Sequence, residues 1–121
     1  MLSAGELNPH NYPTTPEIDA NLATLLDRMN QVRKEWGKPM QVNSGLRSQA
    51  DQQRINPKSP QSRHLIGAAC DIEDADGSLN QWCKDNEELL AKVGLWMEER
   101  QGGWQHFQCL PPKSGHRWFF P

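Results

Sequence analysis

The chain has 121 residues, of which 36% are hydrophobic and 23% charged, and it includes five tryptophans; this fits one packed domain over residues 1–121 and excludes an intrinsically disordered chain. Its 13 basic and 15 acidic side chains give a formal charge of −2, without the basic excess typical of nucleic-acid binders. No apolar run reaches the roughly 18 residues of a transmembrane helix, and the first residues lack the basic and apolar regions of a signal peptide. We therefore expect no nucleic-acid partner, no membrane insertion and synthesis in the cytosol.

The first regular element is predicted to follow an N-terminal arm. Residues 1–14 contain Asn-Pro and Tyr-Pro pairs and no apolar periodicity, which predicts an irregular segment. Thr15 is a helix cap with Pro16 at the first helical position. From there to Gly37, apolar residues recur at steps of three and four, which predicts one long amphipathic helix. These residues are Ile18, Leu22, Leu25, Met29, Val32 and Trp36.

The rest of the chain alternates predicted strands and shorter helices. Strands are predicted at residues 40–44, 68–72, 95–98 and 104–109, the last two joined by a Gly-Gly turn. Short helices are predicted at residues 48–55, before a proline-containing loop at 56–60, and from a Ser78 cap to Gly94. The sequence therefore predicts an α+β domain in which helices pack on a small antiparallel sheet. Cys70, Cys83 and Cys109 form no CxxC pair and are expected to be reduced core thiols.

Two histidines and an aspartate form a candidate metal site. His64 precedes the predicted strand at residues 68–72, and Asp71 lies within it. A loop that folds back before this strand would bring the two side chains together. Strand alternation places Trp104, His106 and Gln108 on one sheet face, so two imidazoles and one carboxylate can converge. Such a set leaves the fourth position of zinc open for a water, which is typical of hydrolytic sites; incidental histidines in a metal-free fold are the alternative.

Three sequence blocks carry a resemblance to a known family. Residues 62–72 read SRHLIGAACDI and resemble the S-x-H-x-x-G-x-A-x-D-[IL] signature of the M15 zinc D-Ala-D-Ala peptidases. Residues 44–48, SGLRS, are similar to the S-G-[YF]-R-S block of that family, and Trp104-x-His106 falls where its last zinc ligand lies. The resemblance spans roughly residues 40–121 and implies the Hedgehog/DD-peptidase-like zinc peptidase fold.

The resemblance also implies roles for particular residues. It implies zinc bound by His64, Asp71 and His106, and a substrate carboxylate or carbonyl oxygen held by Arg47, whose planar guanidinium suits a terminal carboxylate. Ser62 is expected to order its loop or to contact the substrate. Beside these, Trp104 is predicted to form a wall of the substrate site, and Gln108 to orient a ligand or contact the substrate.

The catalytic base departs from the family pattern. Several family members place a glutamate three residues before the last histidine, where this chain has Gly103. The nearest acids are Glu98 and Glu99. If residues 95–98 pair with residues 104–108, one of these carboxylates can reach the attacking water. We predict Glu98 as the proton carrier, with Glu99 as the alternative.

Together these features predict a monomeric zinc metallopeptidase that acts on peptidoglycan. The expected substrate is a stem peptide, cut by D,D-carboxypeptidase or dipeptidase action or by a lysin-type endopeptidase. Because no signal peptide is expected, a phage or prophage product that acts on the cell wall is the predicted origin; a bacterial protein from which a signal peptide has been removed is the alternative. The alternative is a zinc-containing peptidoglycan-binding or virion structural protein with the same fold and no turnover.

Overall fold

A five-stranded sheet organises the computed structural model, which describes residues 1–58 and 62–120. The strands are β1 (Val42–Ser44), β2 (Ala69–Glu73), β3 (Trp96–Glu98), β4 (Trp104–Gln108) and β5 (Trp118–Phe119), and the helices are α1 (Ala4–Leu7), α2 (Pro16–Trp36), α3 (Gln49–Ile55), α4 (Ser78–Asp85) and α5 (Glu87–Val93). The strand order is β1-β2-β4-β3-β5. Neighbours pair antiparallel except β5, which runs parallel to β3. The predicted α+β class is confirmed.

Helix α2 forms as its sequence predicts. The Thr15 hydroxyl accepts a hydrogen bond from the Ile18 N–H at 3.2 Å, and Pro16 occupies the first turn. At the other end Gly37 adopts a left-handed conformation with φ 75°, which glycine reaches without steric cost. The buried stripe of this helix consists of Leu25, Met29 and Val32.

The two faces of the sheet differ in chemistry because side chains alternate along each strand. Cys70, Ile72, Met97 and Phe107 point into the core that α2 shares, and each is at most 1% exposed. Asp71 lies between Cys70 and Ile72, and His106 directly precedes Phe107, so both side chains project from the opposite face. The same alternation that builds the core thus assembles a polar site on the other side of the sheet.

The N-terminal segment is more ordered than the predicted irregular arm. Ser3 and Glu6 form a reciprocal capping box that starts α1, and Leu7 is completely buried. The Leu7 carbonyl accepts a hydrogen bond from the Leu46 N–H at 2.8 Å. The prediction was wrong for this turn because its stability comes from burial and contacts with distant residues.

Two further predictions need correction. The single helix predicted from Ser78 to Gly94 is divided at Asn86 into α4 and α5. Ser78 is the first residue of α4 rather than its cap, and the side chain of Asp74 accepts from the free N–H groups of Leu79 and Asn80, both at 2.9 Å. Strand β5 was not predicted, because a two-residue strand has almost no periodicity to detect.

Several smaller predictions also have clear outcomes. All three cysteines are free and buried, as expected. The short helix predicted at residues 48–55 is confirmed as α3, with Ser48 as its cap. Residues 59–61, which include the end of the predicted loop at 56–60, lie outside the described residues. Among the helices that the structure describes, none has the length and apolar character needed to cross a bilayer.

Candidate metal centre

Pairing between β2 and β4 places a carboxylate directly beside an imidazole. Asp71 and His106 are cross-strand partners, and the Asp71 Oδ1 to His106 Nδ1 distance is 2.8 Å. His64 arrives from a 3₁₀ turn at Arg63–Ile66, with its Nε2 3.3 Å from Asp71 Oδ2. One potential ligand atom from each of the three residues lies within 4.8 Å of the others. The structure thus brings together the three side chains that the sequence analysis singled out.

The turn that carries His64 is organised locally. The Ser62 hydroxyl accepts from the His64 N–H at 3.2 Å, and Gly67 ends the turn with φ 73°. This contact gives Ser62 the loop-ordering role, while contact with a substrate stays a prediction. The His64 Nδ1 lies 2.9 Å from the Gly45 carbonyl oxygen. Because a carbonyl only accepts, Nδ1 carries the proton, and Nε2 presents a lone pair towards Asp71.

A hydrogen bond to the side chain of Gln108 orients His106 in a similar way. The Gln108 Nε2 donates to the Leu110 carbonyl at 2.8 Å, which turns Gln108 Oε1 towards His106 Nε2, also at 2.8 Å. The amide oxygen accepts, so Nε2 of His106 carries a proton, and a neutral His106 therefore presents the Nδ1 lone pair to Asp71. Gln108 is 3% exposed, so its observed partners lie within the chain; a contact with substrate remains a prediction.

The resulting donor set fits a divalent cation. When both imidazoles are neutral, two nitrogen lone pairs and a carboxylate point at one another in a site where His64, Asp71 and His106 are 2%, 7% and 8% exposed. Three inward acceptors are unfavourable without positive charge between them. Neutral imidazole and carboxylate are ligands that zinc prefers, and contacts from the outer nitrogens to backbone or side-chain acceptors are usual for metal-binding histidines.

The pKa shifts of the three residues also indicate that the site favours a positive charge. Burial lowers the pKa of His64, which keeps its imidazole neutral. Burial would raise the pKa of Asp71, but the imidazoles of His106 and His64 hold that pKa well below its usual range. Burial would lower the pKa of His106, yet Asp71 and Glu98 raise it overall. The carboxylate is therefore ionised, and the site attracts either a proton or a metal ion.

Arg47 lies against this cluster. Its guanidinium donates to Ser44 Oγ at 2.9 Å, to Gln52 Oε1 at 3.0 Å and to Asp71 Oδ2 at 3.1 Å. The side chain is 11% exposed, and burial lowers the pKa of Arg47 while Asp71 opposes that shift. Arg47 thus orients the carboxylate of Asp71, and its contact with a substrate stays a prediction.

Glu98 and Glu99 occupy different environments. Trp96 and Met97 pair with Gln108 and Phe107, so the next position of this register sets Glu98 opposite His106. Burial raises the pKa of Glu98, and His106, Asp71 and Arg47 all act on it electrostatically.

Glu99, by contrast, accepts from the Lys84 ammonium with both carboxylate oxygens, at 2.8 and 2.9 Å. The structure therefore places Glu98 beside the cluster and engages Glu99 with Lys84.

Two aromatic residues border the same face. Trp104 lies two residues before His106 in β4 and pairs with Glu73 of β2. It is 38% exposed, which is compatible with its predicted role as a wall of the substrate site. Phe119 was not among the predicted site residues. Its ring meets the His106 ring edge-to-face, with 6.1 Å between centroids. The pairing of β5 with β3 reveals it, because nothing in the local sequence connects Phe119 to the cluster of His64, Asp71 and His106.

The comparison with known proteins agrees with this geometry. A family model described as Peptidase M15 matches residues 2–100, which is most of the chain. The chain belongs to the M15 peptidase family. Membership implies peptidase activity and supports a metallopeptidase with His64, Asp71 and His106 as its possible metal site. Neither a curated protein nor a solved structure matches the chain. Because the match ends before His106, the third member of the cluster is placed by the structure.

Proposed function

We propose that this M15 peptidase is a zinc enzyme that hydrolyses peptide bonds in peptidoglycan stem peptides. It acts either as a D-Ala-D-Ala carboxypeptidase or dipeptidase, or as a lysin-type endopeptidase, and it is a monomeric phage or prophage product that works on the cell wall. The observation that carries the proposal is the buried convergence of His64, Asp71 and His106 with their acceptor atoms turned inward.

The metal ligands in this proposal are His64 Nε2, a carboxylate oxygen of Asp71 and His106 Nδ1. A zinc ion with these three ligands supplies Lewis-acid chemistry, since it acidifies water and polarises a carbonyl group. The protein contributes the orientation of the ligands: the Gly45 carbonyl holds His64, and the Gln108 amide holds His106.

Glu98 carries the proton between the two halves of the reaction. Its carboxylate takes a proton from the attacking water as the oxygen bonds to the scissile carbonyl carbon. It then delivers that proton to the nitrogen of the leaving amine as the C–N bond breaks. Partial burial, which raises the pKa of Glu98, suits a group that must first accept and then donate a proton near neutral pH.

Arg47 binds oxygen atoms of the substrate in this mechanism. Among the described residues, three of the five guanidinium N–H groups have acceptors, and a charged hydrogen bond to a carbonyl or carboxylate oxygen uses the remaining ones. A D-Ala-D-Ala peptide ends in such a carboxylate, which supports this substrate class.

The decisive experiment compares Glu98→Gln with Glu99→Gln, two isosteric changes at neighbouring acids. Zinc-containing protein is incubated with purified muropeptides, and mass spectrometry identifies the bond cut from the mass lost. We expect Glu98→Gln to lower the rate by about 10²–10⁴-fold with zinc content unchanged, and Glu99→Gln to retain activity. Equal activity of both variants would contradict the role of Glu98.

A non-catalytic peptidoglycan-binding or virion protein is the second candidate. The observation that favours it is Gly103, which stands where several family members have their catalytic glutamate. In that case wild-type protein would retain zinc and sediment with cell walls but release no fragment, under conditions in which a family enzyme cleaves the same walls.

A further inference from the structure

Strand β5 places an aromatic ring beside the proposed proton carrier. Phe119 is the register partner of Glu98 in the parallel pair of β3 and β5. Adjacent strands lie about 4.8 Å apart, so β5 runs about 10 Å from β4 with β3 between them. Yet the ring centroids of Phe119 and His106 are only 6.1 Å apart. The Phe119 and His106 side chains therefore converge over β3, which brings the Phe119 ring to the edge of the candidate metal site.

The strand that carries this ring is well anchored. The Glu99 N–H donates to the Phe119 carbonyl at 2.7 Å, and the Met97 N–H donates to the Arg117 carbonyl at 2.9 Å. The Arg117 guanidinium in turn donates to the Leu95 carbonyl at 2.7 Å and lies over the Trp96 ring, 4.4 Å from its centroid. These contacts make Phe119 a fixed wall of the site.

We propose that Phe119 is a specificity-determining residue that limits the size of the side chain on the leaving-amine side of the scissile bond. The inference rests on the proposed function, because it takes Glu98 as the group that protonates the leaving amine. That nitrogen must come within about 3 Å of the Glu98 carboxylate. The residue that carries the nitrogen then lies against the Phe119 ring, which leaves room for glycine or alanine and excludes larger side chains.

The test uses two stem peptides that end in D-Ala-D-Ala or in D-Ala-D-Phe. Removal of the ring in Phe119→Ala is expected to raise the kcat/KM ratio of the D-Phe peptide to the D-Ala peptide about tenfold or more, and Phe119→Trp to lower it. Phe120→Ala is the matched control, because this neighbouring phenylalanine is 78% exposed. General damage to the site would lower kcat/KM for both peptides, so a higher kcat/KM for the bulkier peptide would be specific to the loss of the ring.

A binding measurement makes the test independent of turnover. Calorimetry on the zinc-containing protein compares phosphinate analogues of the same two dipeptides, and we expect the same change of preference in Phe119→Ala. An unchanged preference in that variant, or equal binding of both analogues by wild type, overturns the inference.

The two proposals fail in different ways. Selective binding that Phe119 controls, without hydrolysis of either peptide, refutes the proposed function and leaves the size limit standing. Binding of neither analogue refutes both.

Discussion

The Gln108 amide is predicted to set the metal affinity of the site through His106. Gln108→Met keeps the length of the side chain but removes both its acceptor for the His106 Nε2–H and its donor to the Leu110 carbonyl, each at 2.8 Å. Without that acceptor, the imidazole is no longer held in the tautomer that presents Nδ1 to Asp71. We expect the zinc Kd to rise about 10–100-fold, or about 1.4–2.8 kcal/mol. The buried hydrogen bond to His106 is itself worth about 0.5–1.5 kcal/mol, which reaches the lower part of this range.

Gln105→Met is the matched control for this measurement. Gln105 lies in the same strand and is completely buried, but its amide contacts Asn80 and the backbone carbonyls of Glu98 and His106. This variant should lose stability in urea while its zinc Kd stays within about threefold of wild type, which is below 1 kcal/mol. Both affinities are measured by competition with a chromogenic chelator.

A third variant separates orientation from packing. Gln108→Glu keeps an acceptor for the His106 Nε2–H, so it should bind zinc more tightly than Gln108→Met. Wild-type affinity in Gln108→Met, or an equal loss of affinity in Gln105→Met, would refute the tautomer argument.

Three further predictions concern stability and reactivity. A Cβ at position 45 would lie 2.3 Å from the Leu7 carbonyl oxygen, so Gly45→Ala should lower the free energy of unfolding in urea by about 1–3 kcal/mol. Gly5→Ala is the control: a Cβ there has its nearest contact at 4.0 Å, so this variant should keep the wild-type free energy of unfolding. Asp74→Ala removes the acceptor for two N–H groups of α4 and should cost about 2 kcal/mol or more in the same assay; an unchanged midpoint would show that the helix needs no such cap. Burial raises the pKa of the thiols of Cys70, Cys83 and Cys109. Iodoacetamide at pH 8 should therefore modify these cysteines only after unfolding, and labelling of the native protein would contradict their burial.

Elements with strong local signals were predicted well. The cap at Thr15, the periodic apolar stripe and Gly37 define α2 without reference to any other part of the chain. Strand alternation likewise predicted that His106 and Gln108 share a face, and the 2.8 Å contact between them confirms it. Such predictions succeed because capping, helical periodicity and strand alternation act over a few consecutive residues.

Elements that depend on distant contacts were missed or misplaced. The turn at Ala4–Leu7 relies on burial of Leu7 and on its hydrogen bond to Leu46. Strand β5 exists through its pairing with β3, and Asp74 caps α4 from several residues upstream. None of these leaves a periodic pattern that could distinguish it from an ordinary loop.

The amino-acid sequence alone determined the fold class, the long helix and the three residues that converge at the candidate metal site, because side-chain periodicity and the family blocks are properties of short segments. Tertiary structure decided which nitrogen of each imidazole faces the cluster, which of the adjacent glutamates lies beside it, and that Phe119 borders it. Those features depend on hydrogen bonds and strand pairings between residues far apart in the chain, and such contacts exist only once the sheet has formed.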